Sequence, residues 1–314
     1  MLNYGRAVWP NTDSGAPSVS KHVRRLMQQS NAYNTRRAYK SLLKGFDAWR
    51  NGRTANDVSI ANYVAHLEKS GKAIATARLA LAAIRFRARE NDQPRPDGPI
   101  TAKALEGYGR SSRNQGRGQV LGVGWEQADE MTRLAEREGG LRGLRDAALI
   151  AVMSDGLLRI SEAAGIEYED INLTEDGTGR LLVARSKNDQ TGRGSMLYLR
   201  ACTMRRVSAW ANVSGIHAGP LFRRVGKGGI VGTASLSVES VRAIVQRWAR
   251  RAGITGRVSG HSLRVGSAQS LVASGATLPE LQQAGRWLSP EMPAHYARAE
   301  RAGKNAVARL RLDS

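Results

Sequence analysis

Gly260-His261-Ser262-Leu263-Arg264-Val265-Gly266 is the stretch on which the reading of this chain turns. It opens a predicted helix and places His261 and Arg264 one turn apart on the same face. Three other stretches belong beside it. Leu158-Arg159-Ile160-Ser161-Glu162 closes an apolar helix, Arg185-Ser186-Lys187 sits on a hairpin turn, and Gln283-Ala284-Gly285-Arg286-Trp287 precedes His295-Tyr296. Taken singly, each has an ordinary explanation: a His-x-x-Arg surface pair, a core tryptophan, a solvated hairpin lysine. Their joint presence, in this order, needs more than that.

The rest of the composition narrows the possibilities. The chain has 314 residues, 48 Lys+Arg against 27 Asp+Glu, and a formal charge of +21. At this length a single core tends to split, so two domains are expected. Apolar residues at 41 % with aromatics at only 5 % favour a helical protein over a β-sandwich. Cys202 is the only cysteine, which excludes a disulfide scaffold and suits a reducing compartment. No apolar run approaches a membrane span, and residues 1–20 carry no secretory signal, so an intracellular, soluble protein is expected. A pI near 11 points to a polyanion, and nucleic acid is the commonest one. Arginine outnumbers lysine, and arginine is the better bidentate phosphate ligand. There is no Walker loop, no Cys/His metal spacing and no Gly-x-Ser-x-Gly elbow. The glycines of Arg110–Gly118 do not make a dinucleotide loop, because no strand precedes them.

Periodicity sets the organisation. Residues 1–25 read as a loose arm, 26–109 as a helical domain, 110–122 as a charged linker, 123–298 as a second domain and 299–314 as a tail. In the first domain Tyr39, Leu42, Leu43, Phe46 and Trp49 share one helix face, with Arg36, Lys40 and Lys44 opposite. A second helix carries Ile60, Tyr63, Val64 and Leu67. A third, Ile74 to Glu90, turns Ala77, Leu81, Ile84 and Ala88 inward and Arg78, Arg85 and Arg89 outward. A short helix follows at 101–108. Further helices are predicted at 125–138, 141–156, 201–213, 237–251 and 261–274, with a hairpin pairing 181–184 to 196–199.

The ordered set LLRISE, RSK, GHSLRVG, QAGRW and HY resembles the phage integrase, or tyrosine recombinase, family, in particular its Cre-type members. The resemblance is strong after residue 145 and a matter of pattern before it. It implies a mainly α fold: a helical, SAM-like core-binding domain and a catalytic domain with a small antiparallel β-sheet, together clamping DNA. It also implies roles. Tyr296 is the nucleophile that gives a 3′-phosphotyrosyl link. Arg159 and Arg264 hold the non-bridging phosphate oxygens. Lys187, on the hairpin loop, is the general acid, and His261 is the proton shuttle or base. Trp287 packs at the phosphate, and Glu162 orients the side chains around it. Two arginines and a lysine supply the positive charge, so neither metal nor cofactor is expected.

The remaining expectations concern DNA and assembly. Arg36, Lys40, Lys44, Arg78, Arg85 and Arg89 resemble groove-facing positions. In the helix at 237–251, Val241, Ile244, Val245 and Trp248 face inward. That leaves Glu239, Arg242 and Gln246 outward to read bases. In the tail, Ala306, Val307 and Leu310 form a small apolar face for docking on a neighbouring subunit. The resemblance implies a homotetramer on paired inverted-repeat sites in double-stranded DNA. Two alternatives stand beside this reading. A type IB topoisomerase-like strand transferase is disfavoured by the tail, and an inactive DNA-binding regulator by the seven filled active-site positions.

Overall fold

The computed structural model describes residues 20, 22, 33–111, 120–184 and 194–296. The chain divides between Gln119 and Val120 into two compact units.

In the first unit four helices follow one another: α1 (Tyr33–Arg50), α2 (Asp57–Lys69), α3 (Ile74–Glu90) and α4 (Pro99–Ser111). Their apolar stripes meet in one core of Phe46, Ile60, Tyr63, Val64, Leu67, Leu81, Ile84 and Tyr108. Tyr63 is the hinge of an aromatic group, 5.0 Å from Phe46 and 5.1 Å from Trp49 between ring centroids. The Asp57 carboxylate accepts hydrogen bonds from the amides of Gly98, Ile100 and Thr101 at 2.7–2.9 Å. These include amides of the first turn of α4, which have no partner within that helix. Arg36, Lys40 and Lys44 are exposed on α1, and Arg78 and Arg89 on α3. Arg85 is exposed as well, but it also has a partner within the bundle. Its fork donates to both oxygens of the buried Asp97 at 2.9 and 2.6 Å, and Arg95 shares that carboxylate. Its guanidinium is therefore engaged within the bundle.

The second unit is built on α6 (Gly140–Asp155), packed under α5 (Trp125–Glu138). Every residue from Ala147 to Met153 is buried, as a helix apolar all round requires. α5 contributes Ala128, Met131, Thr132 and Ala135, one face at helical spacing. α7 (Ile160–Ala164) leads to a three-stranded antiparallel sheet in the order β1 (Ile171–Leu173), β2 (Gly179–Val183), β3 (Ser195–Leu199). Leu181 faces Leu197 across it, both buried, while Met196 and Tyr198 point outward. α8 (Ala201–Ser214) follows, then a second hairpin of β4 (Arg223–Val225) and β5 (Val231–Ser235), and then α9 (Val238–Arg251). Val241, Ile244, Val245 and Trp248 of α9 are buried, as the periodicity predicts. Asp146 of α6 anchors α9 from below: it accepts from the Trp248 indole at 2.8 Å, and also pairs with Arg145 and Arg247. The unit closes with α10 (Ser262–Ala273), α11 (Leu278–Gly285) and α12 (Glu291–Tyr296).

Most predicted helices lie within a residue or two of their bounds, but the short helix at 101–108 extends to Ser111, and Arg159–Glu162, expected to close an apolar helix, instead opens α7 after α6 has ended at Asp155. The sheet is larger than the single predicted hairpin. β1 and β4 have three residues each, too few for alternation to show in sequence. Periodicity does not predict α11 and α12 either, although Thr277 and Glu280 form a capping box at the start of α11.

Candidate active site

The site is assembled where α6 ends. Gly156 caps the helix, and Leu157 follows with φ +47°, a left-handed turn that redirects the chain. Arg264, on the first turn of α10 and only 2 % exposed, donates to the Leu157 carbonyl and to the Gly285 carbonyl at the end of α11. Its guanidinium lies 4.4 Å from the centre of the Trp287 ring, a cation–π contact. Gly285 makes this stacking possible, since a Cβ there would fall 1.7 Å from the Trp287 ring. Leu157, Ala268, Val272, Leu281 and Trp287 form a separate small apolar cluster beneath the site, with Tyr296 at its edge.

Arg159 and Glu162 occupy one turn. Glu162 of α7 accepts from the Arg159 amide at 3.0 Å and from its guanidinium at 2.5 Å. Its second oxygen also receives Arg286 at 2.8 Å. Burial alone would raise the Glu162 carboxyl, but Arg286 and Arg159 outweigh it and hold the group below the ordinary range. Two guanidinium groups therefore share one carboxylate, and a third, that of Arg264, lies close by. Burial, with Arg159 and Arg286 nearby, lowers Arg264 to about 10. It stays cationic at neutral pH, in a pocket whose positive charge exceeds its negative charge. Such a pocket suits a tetrahedral anion, and a phosphodiester fits guanidinium forks best.

Tyr296 ends α12 with its ring 5.6 Å from Trp287. His261, the residue before α10, remains exposed. Its imidazole is nonetheless held below the usual value by partial loss of water and by the charges of Arg264, Arg159 and Arg242. The structure thus brings together Arg159, Glu162, His261, Arg264, Trp287 and Tyr296. Lys187 lies outside the described residues. Val183 and Ser195, which flank it in sequence, are paired in the sheet, and a cleft of about 500 Å³ runs from Glu162 to Ala184. Ala306, Val307 and Leu310 also lie outside the described residues. Glu239 and Arg242 are exposed on α9, and Gln246 is less so. It is half-buried and donates to the Val258 carbonyl at 3.0 Å. Arg286 received no role from the sequence, although it stands between Gly285 and Trp287 in a stretch already singled out. Among the described residues, no group of His, Cys, Asp and Glu is placed to hold a metal, and no helix is long and apolar enough to cross a membrane.

Two arginines, a histidine and a tyrosine around one polar floor, on this helical frame, define a tyrosine recombinase catalytic domain. Residues 125–302 match the model of the phage integrase family, and the chain belongs to that family. It is 31 % identical over 270 residues to the integrase/recombinase xerD homolog of Selenomonas ruminantium, covering 80 % of this chain and 77 % of that one. It is 26 % identical over 322 residues to the recombinase cre of Escherichia phage P1, covering 95 % and 94 %. In fold it resembles XerH site-specific recombinase bound to palindromic difH substrate, with TM-score 0.66, 16 % identity and coverage of 86 % and 78 %. It also resembles a lambda integrase dimer bound to a COC′ core site, with TM-score 0.59, 17 % identity and coverage of 87 % and 74 %.

Proposed function

We propose that this chain is a site-specific DNA recombinase that cuts and rejoins strands through a 3′-phosphotyrosyl intermediate, as a tetramer on two paired sites, by way of a Holliday junction. The observation that carries this reading is the convergence of Arg159, Arg264, His261 and Tyr296 on a pocket with excess positive charge. In the first step the Tyr296 hydroxyl oxygen bonds to phosphorus and its proton passes to His261. The P–O5′ bond breaks, and the departing oxygen takes a proton from Lys187. Arg159 and Arg264 hold the non-bridging oxygens most tightly as the phosphorane forms. Rejoining is the same sequence run backwards, with a 5′-hydroxyl of the other duplex as the attacking group. The exposed cations of α1 and α3, with Glu239 and Arg242 of α9, supply phosphate and base contacts on inverted repeats. A groove of about 470 Å³, lined by Leu157, Met196, Tyr198, Leu271 and Ala284 with Asp155, Arg200, Glu280 and Gln283 also on its walls, is a fitting receptor for the Ala306, Val307 and Leu310 face of a neighbouring tail.

The test is covalent trapping on nicked duplexes drawn from a random-sequence pool. Wild-type protein is expected to form a 3′-phosphotyrosyl adduct, with or without EDTA. Tyr296→Phe should bind the recovered duplex normally and form no adduct, because only the attacking oxygen is lost. An adduct that persists in Tyr296→Phe, or one that vanishes with EDTA, contradicts the proposal.

A further inference from the structure

We infer that Arg286 is a positioning residue for strand transfer, tying the segment that leads to Tyr296 to the groups that orient Arg159 and Arg264. The inference rests on the recombinase reading above.

The backbone is the first observation. Arg286 ends α11 with φ +55° and ψ +47°, the left-handed conformation that glycine enters freely and other residues enter at a cost. The glycine of this turn stands one position earlier, at Gly285, where the Trp287 ring requires it. An unfavourable conformation retained at a site is a pointer to function.

The side chain is the second. It is only 7 % exposed, although arginine is rarely buried without reason. It donates to the Gly156 carbonyl at 2.9 Å and to Glu162 at 2.8 Å, with Leu157 O at the margin of hydrogen bonding, 3.5 Å away. Glu162 is the carboxylate that binds Arg159, and Leu157 O is the carbonyl that binds Arg264. One guanidinium therefore touches both supports, from a residue adjacent to Trp287. Its Nε is buried with no partner, so the group is held by its terminal nitrogens.

The electrostatics agree. Glu162 is faced by Arg159 from its own turn, by Arg286 from the end of α11, and by His261 and Arg264 from the start of α10. Arg286 is the foremost of the charges that keep the buried carboxylate ionised. Without it, Glu162 protonates at higher pH and loosens its hold on Arg159.

The test uses the full chain and a nicked duplex recovered by trapping on wild-type protein. Arg286→Gly suits the left-handed backbone. It is expected to bind the duplex within about threefold of wild type, while the first-order rate of adduct formation falls about 10–100-fold, the scale of small misplacements. Its Glu162 carboxyl, followed by carbon-13 titration of the DNA-free chain, should titrate at higher pH than in wild type. Arg286→Lys keeps the charge but not the fork, so its Glu162 titration should stay in place while the rate falls. If Arg286→Gly does not fold, Arg286→Lys decides: a wild-type rate overturns the inference. So does an Arg286→Gly protein that traps DNA at the wild-type rate, or that loses rate with its Glu162 titration unmoved. Carbon-13 titration of the Glu162 carboxyl in the DNA-free chain needs no substrate. An equal Glu162 pKa in wild type and Arg286→Gly likewise overturns the inference. Failure of the wild-type chain to trap any duplex counts against the recombinase reading instead, and the carboxyl titration then decides whether Arg286 holds Glu162 ionised.

Discussion

His261 carries the most direct pH signature of the pocket. In the free protein its imidazole is held below the ordinary value, so the unfolded chain takes up a proton on this residue before the folded one does. Stability from this group is present above about pH 6.5 and is lost as pH falls through that value toward the lowered folded one. A phosphodiester between Arg159 and Arg264 offsets part of the positive field and raises the imidazole again. DNA binding near pH 6 is therefore expected to take up a proton. Calorimetry in buffers of different ionisation enthalpy measures this uptake, which should disappear in His261→Gln. Uptake unchanged in that variant would assign the effect elsewhere.

Among the elements, α9 separates two roles that its surface residues share in sequence. Arg242 is exposed, while Gln246 one turn on holds the Val258 carbonyl. Arg242→Ala is expected to relax base preference at one position, costing about 1–3 kcal/mol of discrimination. Gln246→Ala should leave base preference intact and lower stability by about 1 kcal/mol, the net worth of one hydrogen bond. Binding selections on randomised duplexes, with thermal unfolding of each variant, distinguish the two. Base preference that shifts in Gln246→Ala would mean that the bond to Val258 opens on DNA. The buried carboxylate of Asp146 gives α9 a fixed seat on α6, so the contrast reports on single side chains.

For the molecule as a whole, +21 of net charge favours binding to DNA but does not bring about the pairing of sites. Assembly needs a separate contact, and the short tail supplies it in the proposed scheme. A face of Ala306, Val307 and Leu310 is too small to be stable as an isolated helix in water. A head-to-tail contact of this kind closes a ring when repeated with the right rotation. Truncation after Arg301 is expected to leave binding of one monomer to a half-site nearly intact. Cooperative filling of the second half-site and the paired-site complex should both be lost. Native gels with half-site and full-site DNA read both, and a truncated chain that still pairs sites and recombines would exclude the tail as the link.

Much is legible in the sequence because burial in helices follows a simple period. The inward residues of α2, α3 and α9 repeat every three to four positions, and the structure buries the same ones. Catalytic residue types are few and their order is distinctive, so Arg159, His261, Arg264 and Tyr296 can be proposed without any geometry. β1 and β4 cannot be, since three residues carry no pattern. Nor can the partners of Arg85, Gln246 and Arg286, whose side chains read alike whether they face water or another part of the chain. Asp97, Val258 O and Glu162 reach them only through folding, from 12, 12 and 124 positions away. The sequence by itself determined the family and the helical frame and named the proposed reacting groups, because these rest on local spacing and residue type. Tertiary structure alone decided which cations face outward and which serve the fold, because that depends on contacts between elements distant in the chain.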